Sequence, residues 1–148
     1  MASLVIDFEL DPSLRLDQKL LRQRNGKLLL DVEGELGISV DHSCFFREPS
    51  LALLEFAVSL KEWRMKDSKR PSSFYYFSME HDEREGPILA FIRENDNKWR
   101  LFSIWQEFEH EGIISTDVLV KAVDRYLTEF EEILTVRFNI WYSDFIKL

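Results

Sequence analysis

The chain carries a single cysteine, Cys44. That excludes a disulfide framework and a cysteine-rich zinc centre. Its five glycines, Gly26, Gly34, Gly37, Gly86 and Gly112, are scattered. None belongs to a glycine-rich loop that would cradle a phosphate. There is no Gly-x-Ser-x-Gly elbow, and Cys44 has no glycine-rich setting, so nucleophilic catalysis has no motif here. No apolar run approaches the roughly 20 residues of a membrane-spanning helix. Met1 to Asp7 lacks the basic head and apolar run of a secretion signal. A cytoplasmic protein without a membrane segment is the expectation. Basic residues are also scarce: 19 Lys and Arg stand against 27 Asp and Glu, a net charge of −8. Such a chain repels phosphate backbones, so nucleic acid is not an expected partner.

Aromatic residues, by contrast, are abundant. They make up 14% of the 148 residues, with 12 Phe and 4 Trp, and apolar residues reach 45%. This composition argues for a packed core and against disorder. The length suits one domain spanning residues 1–148. Such a domain folds without disulfides or metal, and no cofactor is expected. Cys44, next to Phe45-Phe46, reads as a small buried residue.

The organising stretch is Phe74 to Phe108. It holds three runs of aromatic and branched residues: Phe74 to Phe77, Ile88 to Ile92 and Trp99 to Trp105. Residue types that suit a pleated sheet alternate with turn chemistry at Glu85-Gly86-Pro87 and Asn95-Asp96-Asn97. An antiparallel three-strand meander is expected. Upstream, Leu4, Ile6, Phe8 and Leu10 alternate with Val5, Asp7 and Glu9, which predicts a first strand. Residues 13–27 are the basic stretch, with five basic side chains against Asp17 alone. They fit a short helix, or a strand ending in the Asn25-Gly26 hairpin signal. Leu28 to Val32 and Glu35 to Val40 read as strands flanking a bulge at Gly34, and Cys44 to Phe46 as a third short one. Pro49 then suits the first position of a helix running to about Met65. Ser115-Thr116-Asp117 caps a second helix, whose stripe is Val118, Leu119, Ala122, Val123, Tyr126, Phe130, Ile133 and Leu134. Residues 135–148 carry Phe138, Trp141, Tyr142, Phe145 and Ile146 at helical spacing, although Thr135 to Phe138 also suits a strand.

Two acidic loops are the candidate sites. One holds Glu80, His81, Asp82, Glu83 and Glu85. The other holds Glu107, Glu109, His110 and Glu111. If the meander is antiparallel, both loops meet at one rim of the sheet, where they would form an acidic patch. Neither loop has Ca²⁺-loop spacing or a histidine pair at helical spacing, and a hairpin tip is commonly charged in any case. Exposed carboxylates do not gain the raised pKa values of general acids, so no catalytic residue and no metal ligand is assigned. Trp141 and Tyr142 are candidate exposed anchors near the chain end.

Leu30 to Leu36, the Phe46-x-x-Pro49 lead into an apolar helix ending near Trp63, Phe74-Tyr75-Tyr76, Pro87 to Phe91 and Trp99 to Trp105 together carry a resemblance. They look like a group of small, acidic, uncharacterised bacterial proteins, similar in layout to toxin-immunity proteins. The resemblance covers Leu28 to Phe130 and brings no site residues with it. It implies a protein that binds another protein.

The sequence therefore predicts an α+β fold: one antiparallel sheet of about five to seven strands, with two main helices on one face. The expected function is non-enzymatic binding of a basic protein, such as a nuclease-type toxin that must itself attract phosphate. Two alternatives remain open. One is a homodimer rather than a monomer, built through Phe138, Trp141 and Phe145. The other is a metal-dependent hydrolase using His81 and His110.

Overall fold

The computed structural model describes residues 3–66, 71–79, 83–107 and 113–146. The first sheet is built from β1 (Leu4–Glu9), β2 (Glu33–Val40) and β3 (Ser43–Ala52), antiparallel and in that order. Between β1 and β2 lie two short helices, α1 (Gln18–Gln23) and α2 (Leu28–Asp31). A long helix, α3 (Leu53–Lys66), follows β3 without a loop. The second sheet is the expected meander, β4 (Phe74–Tyr76), β5 (Leu89–Asn95) and β6 (Lys98–Phe102). Helix α4 (Thr116–Phe138) and a 3-10 turn (Tyr142–Asp144) complete the described fold.

Six strands are present among the described residues, but they form two sheets of three and not one. At the outer edge of β3 the Glu107 N–H donates to the Phe45 carbonyl at 2.8 Å, so the segment after β6, and not β4, reaches that edge. The two main helices accordingly serve both sheets. α3 packs on β2 and β4, and α4 packs on β1 and β6.

Other expectations also shift. Leu28–Asp31 is helical, not extended, and Val32 ends the turn. Asn25 accepts from Lys27 and Leu28 and starts the turn, which puts Leu28 and Val32 in the core one turn apart. Pro49 lies within β3, and α3 begins at Leu53. An edge strand tolerates a missing N–H as readily as a helix start does, and β2 supplies partners for Glu48, Leu51 and Ala52. Cys44 is exposed, because a register shift beside Ser39 lets Phe45 and Phe46 both turn inward. The β2–β3 turn is Asp41-His42, with both residues at positive φ. This is the backbone a two-residue hairpin requires, and Asp41 steadies it by accepting from the Ser3 N–H at 2.8 Å.

α4 fits its sequence signals. Ser115 accepts from the Val118 N–H, and Asn139 closes the helix in the left-handed conformation. Its buried stripe is Leu119, Ala122, Val123, Tyr126, Leu127, Phe130 and Leu134. Ile133, expected in that stripe, is on the surface. Phe138 belongs to the helix, so the strand reading of Thr135 to Phe138 does not hold.

Gly34 produces the bulge in β2 that the sequence predicts, with a register shift between Gly34 and Leu36. A Cβ there would stand 2.5 Å from the Glu9 carbonyl oxygen and 2.7 Å from Leu53 Cδ1. The first neighbour is backbone and cannot swing away. Gly34→Ala should therefore destabilise by roughly 1–3 kcal/mol, the usual result of overpacking. Guanidinium denaturation measures this, and an unchanged midpoint would show that β1 and β2 can separate freely at that point.

Candidate functional site

The seam between the two sheets carries a small polar concavity. The end of β3 (Glu48, Ser50, Leu51) and the start of β2 (Glu33) form one wall. Tyr76, Ser78 and Ile88 from the meander form the other, and Trp105 completes the lining. Its volume is about 170 Å³, and it is open to solvent on one side. Drug-sized ligands occupy about 300–1,000 Å³, so this space suits one long side chain.

Local chemistry places each wall. After β6 the chain bends at Ser103, whose hydroxyl accepts from the Trp105 N–H at 2.9 Å and whose N–H donates to Gln106 Oε1 at 3.1 Å. The Ile104 N–H reaches the Pro87 carbonyl at 3.3 Å, and Glu107 is pinned to Phe45. These bonds bring Trp105 to the seam with 43% of its surface exposed. Behind Tyr76, the buried Glu55 accepts from the Tyr76 hydroxyl at 2.7 Å and from the Met79 N–H at 3.3 Å. Burial, then that hydrogen bond, pushes the Tyr76 phenol far above its ordinary range, so it stays a neutral donor. Glu48 accepts from the Ser50 N–H at 3.2 Å, which orients its carboxylate at the seam.

The acidic candidates from the sequence fall partly here. The Pro87–Ile104 hydrogen bond joins the hairpin end near Glu85 to the segment leading to Glu107, and both glutamates are exposed. Glu83 starts a 3-10 turn, Glu83–Glu85. Glu80, His81, Asp82, Glu109, His110 and Glu111 lie outside the described residues. Among the described residues, no three metal-ligating side chains come together.

Of the two aromatic anchors, Trp141 is 43% exposed but lies after α4, away from the seam's lining. Tyr142 is not an anchor. It is buried to 2%, its hydroxyl donates to the Leu127 carbonyl at 2.7 Å and its N–H to Glu131 at 2.8 Å. Trp141 is the extended residue ahead of the 3-10 turn and Tyr142 its first residue, and only Tyr142 is buried. Phe138 and Phe145 pack partly against the core.

Sequence reading missed Glu33, Glu48 and Trp105. Glu48 was hidden by the helix-start reading of Pro49, and Trp105 by its place in a strand-like run. The Ser103 hydroxyl two residues ahead of Trp105 was the available signal for a turn.

A second concavity, about 940 Å³, lies on the far side of the first sheet between β1 and α4. Phe8, Leu10, Pro12, Ile133 and Val136 give it an apolar lining.

These features define an acidic α+β protein of two three-stranded antiparallel sheets that share two helices, with a carboxylate-and-indole slot at the seam. A family model described as a domain of unknown function (DUF7878) matches residues 6–136, and the chain belongs to that family. No curated protein and no solved structure matches it. Among the described residues, no helix is long and apolar enough to cross a membrane.

Proposed function

We propose that this chain is a non-enzymatic binding protein for a cationic protein, and that the seam slot receives one Lys or Arg side chain of that partner. The observation that carries the reading is the slot itself: Glu33, Glu48 and the part-exposed Trp105 line one space sized for a single side chain. A guanidinium or ammonium there gains both ion pairing and a cation–π contact. Trp–Arg pairings of this kind concentrate binding energy at protein interfaces. The net charge of −8 adds long-range steering toward a cationic surface. The exposed Glu85 and Glu107 extend the acidic rim beside the slot. An inhibitor of a nuclease-type toxin fits this chemistry, because an enzyme that gathers phosphate displays such a surface.

Capture from an extract of the native host tests the reading. One stoichiometric cationic protein should be retained at low salt and released at high salt. Glu33→Lys with Glu48→Lys should weaken that complex at least about tenfold, chiefly through faster dissociation. Trp105→Ala should weaken it without changing its salt dependence. Retention that ignores all three substitutions, or no retained protein, would overturn the proposal.

A further inference from the structure

The two edges of the first sheet are treated differently. The outer edge of β3 is occupied where Glu107 bonds Phe45. β1 has β2 as its sole strand partner among the described residues. Alternate N–H and C=O groups of such an edge strand face outward, ready to pair with another chain. Beside this edge runs the 940 Å³ groove. Its helical wall is Glu129, Glu132, Ile133 and Val136, which recur at three- and four-residue steps on α4. Val136 is 86% exposed. The groove thus offers open backbone on one side and apolar side chains on the other.

Its charges select the occupant. Asp7 is paired with Arg47 at 3.6 Å and Glu129 with Arg125 at 2.9 Å. Arg137 is turned onto the carbonyls of Asp11, Pro12 and Leu14. Glu9 on β1 and Glu132 on α4 both line the groove, and neither has an ion-pair partner among the described residues. A second copy of this chain would bring another net −8 to the same place.

We propose that the β1–α4 groove is a strand-addition site for an extended cationic segment of another protein. Backbone groups of the segment would pair with β1. Its alternate apolar side chains would sit against Phe8, Ile133 and Val136, and its Lys or Arg residues would meet Glu9 and Glu132. This surface is at the opposite sheet edge from the seam slot, so it stands or falls separately from that reading.

The test uses the full chain and a fluorescent eight-residue peptide of alternating Lys and Val. Anisotropy should show saturable binding that salt weakens, and hydrogen exchange should slow at the β1 amides of Leu4–Glu9. Glu9→Lys with Glu132→Lys, both at exposed positions, should weaken binding about tenfold or more. An alternating Glu and Val peptide should not bind. Val136→Asp tests the apolar wall without touching the core. No binding, equal binding to the charge-reversed protein, unchanged β1 exchange, or tighter binding of a helical cationic peptide would each overturn strand addition. Sedimentation showing a dimer that the peptide disperses would assign the groove to self-association instead.

Discussion

Phe56→Ala should lower the unfolding free energy by about 3–5 kcal/mol, the range for deleting a fully buried aromatic ring. Phe56 is inaccessible to solvent and lies 5.1 Å from Tyr76, 5.7 Å from Tyr126 and 6.2 Å from Phe74, ring centre to ring centre. It therefore couples α3 to the second sheet and to α4 at once. The remaining void would border three large rings that cannot collapse together without moving separate elements. A typical domain is stable by about 5–15 kcal/mol, so the variant loses a large share of its margin. Guanidinium denaturation followed by tryptophan fluorescence measures it. Phe102→Ala, at a site 37% exposed, is the comparison and should lose under about 1.5 kcal/mol. Equal losses for the two variants would remove Phe56 from its central role.

Alkaline pH should unfold the protein in one cooperative step. Three of the four tyrosines, Tyr76, Tyr126 and Tyr142, are buried, and burial is the leading cause that raises each phenol far above its ordinary value. The folded state holds these protons more tightly than the unfolded chain does. Their contribution to stability is therefore complete below about pH 10 and is withdrawn as the pH climbs beyond it. Each tyrosine withdraws about 1.4 kcal/mol per pH unit, so together they remove roughly 4 kcal/mol per unit. Ultraviolet absorbance should show the three phenolates appearing together with the loss of circular dichroism. Phenolates formed while the fold persists would count against this. The Tyr126 hydroxyl is buried without a hydrogen-bond partner among the described residues. Tyr126→Phe should stabilise the protein by about 1 kcal/mol and move the alkaline transition upward.

The meander and α4 were legible because their signals are local. Turn residues separate the three β-rich runs, and Ser115 caps a stripe of three- and four-residue steps. Gly34 announced its bulge for the same reason. Pro49 suits a helix start by its missing N–H, but an edge strand tolerates that residue equally well. What decides it is β2, more than ten residues upstream, which pairs with Glu48, Leu51 and Ala52. Tyr142 looked like Trp141 in sequence, yet one packs under Leu127 and the other faces water.

The functional surfaces divide in the same way. Net charge, the lack of catalytic and phosphate-binding motifs, the aromatic core and the capped helix are determined by the sequence itself, since composition, periodicity and capping act over a few residues. Tertiary structure alone decided that the strands split into two sheets, that Glu33, Glu48 and Trp105 converge, and that β1 keeps an open edge beside α4. Each of these depends on contacts between segments far apart in the chain. The hydrogen bond from Glu107 to Phe45, spanning most of the two sheets in sequence, is one such contact at the outer edge of β3.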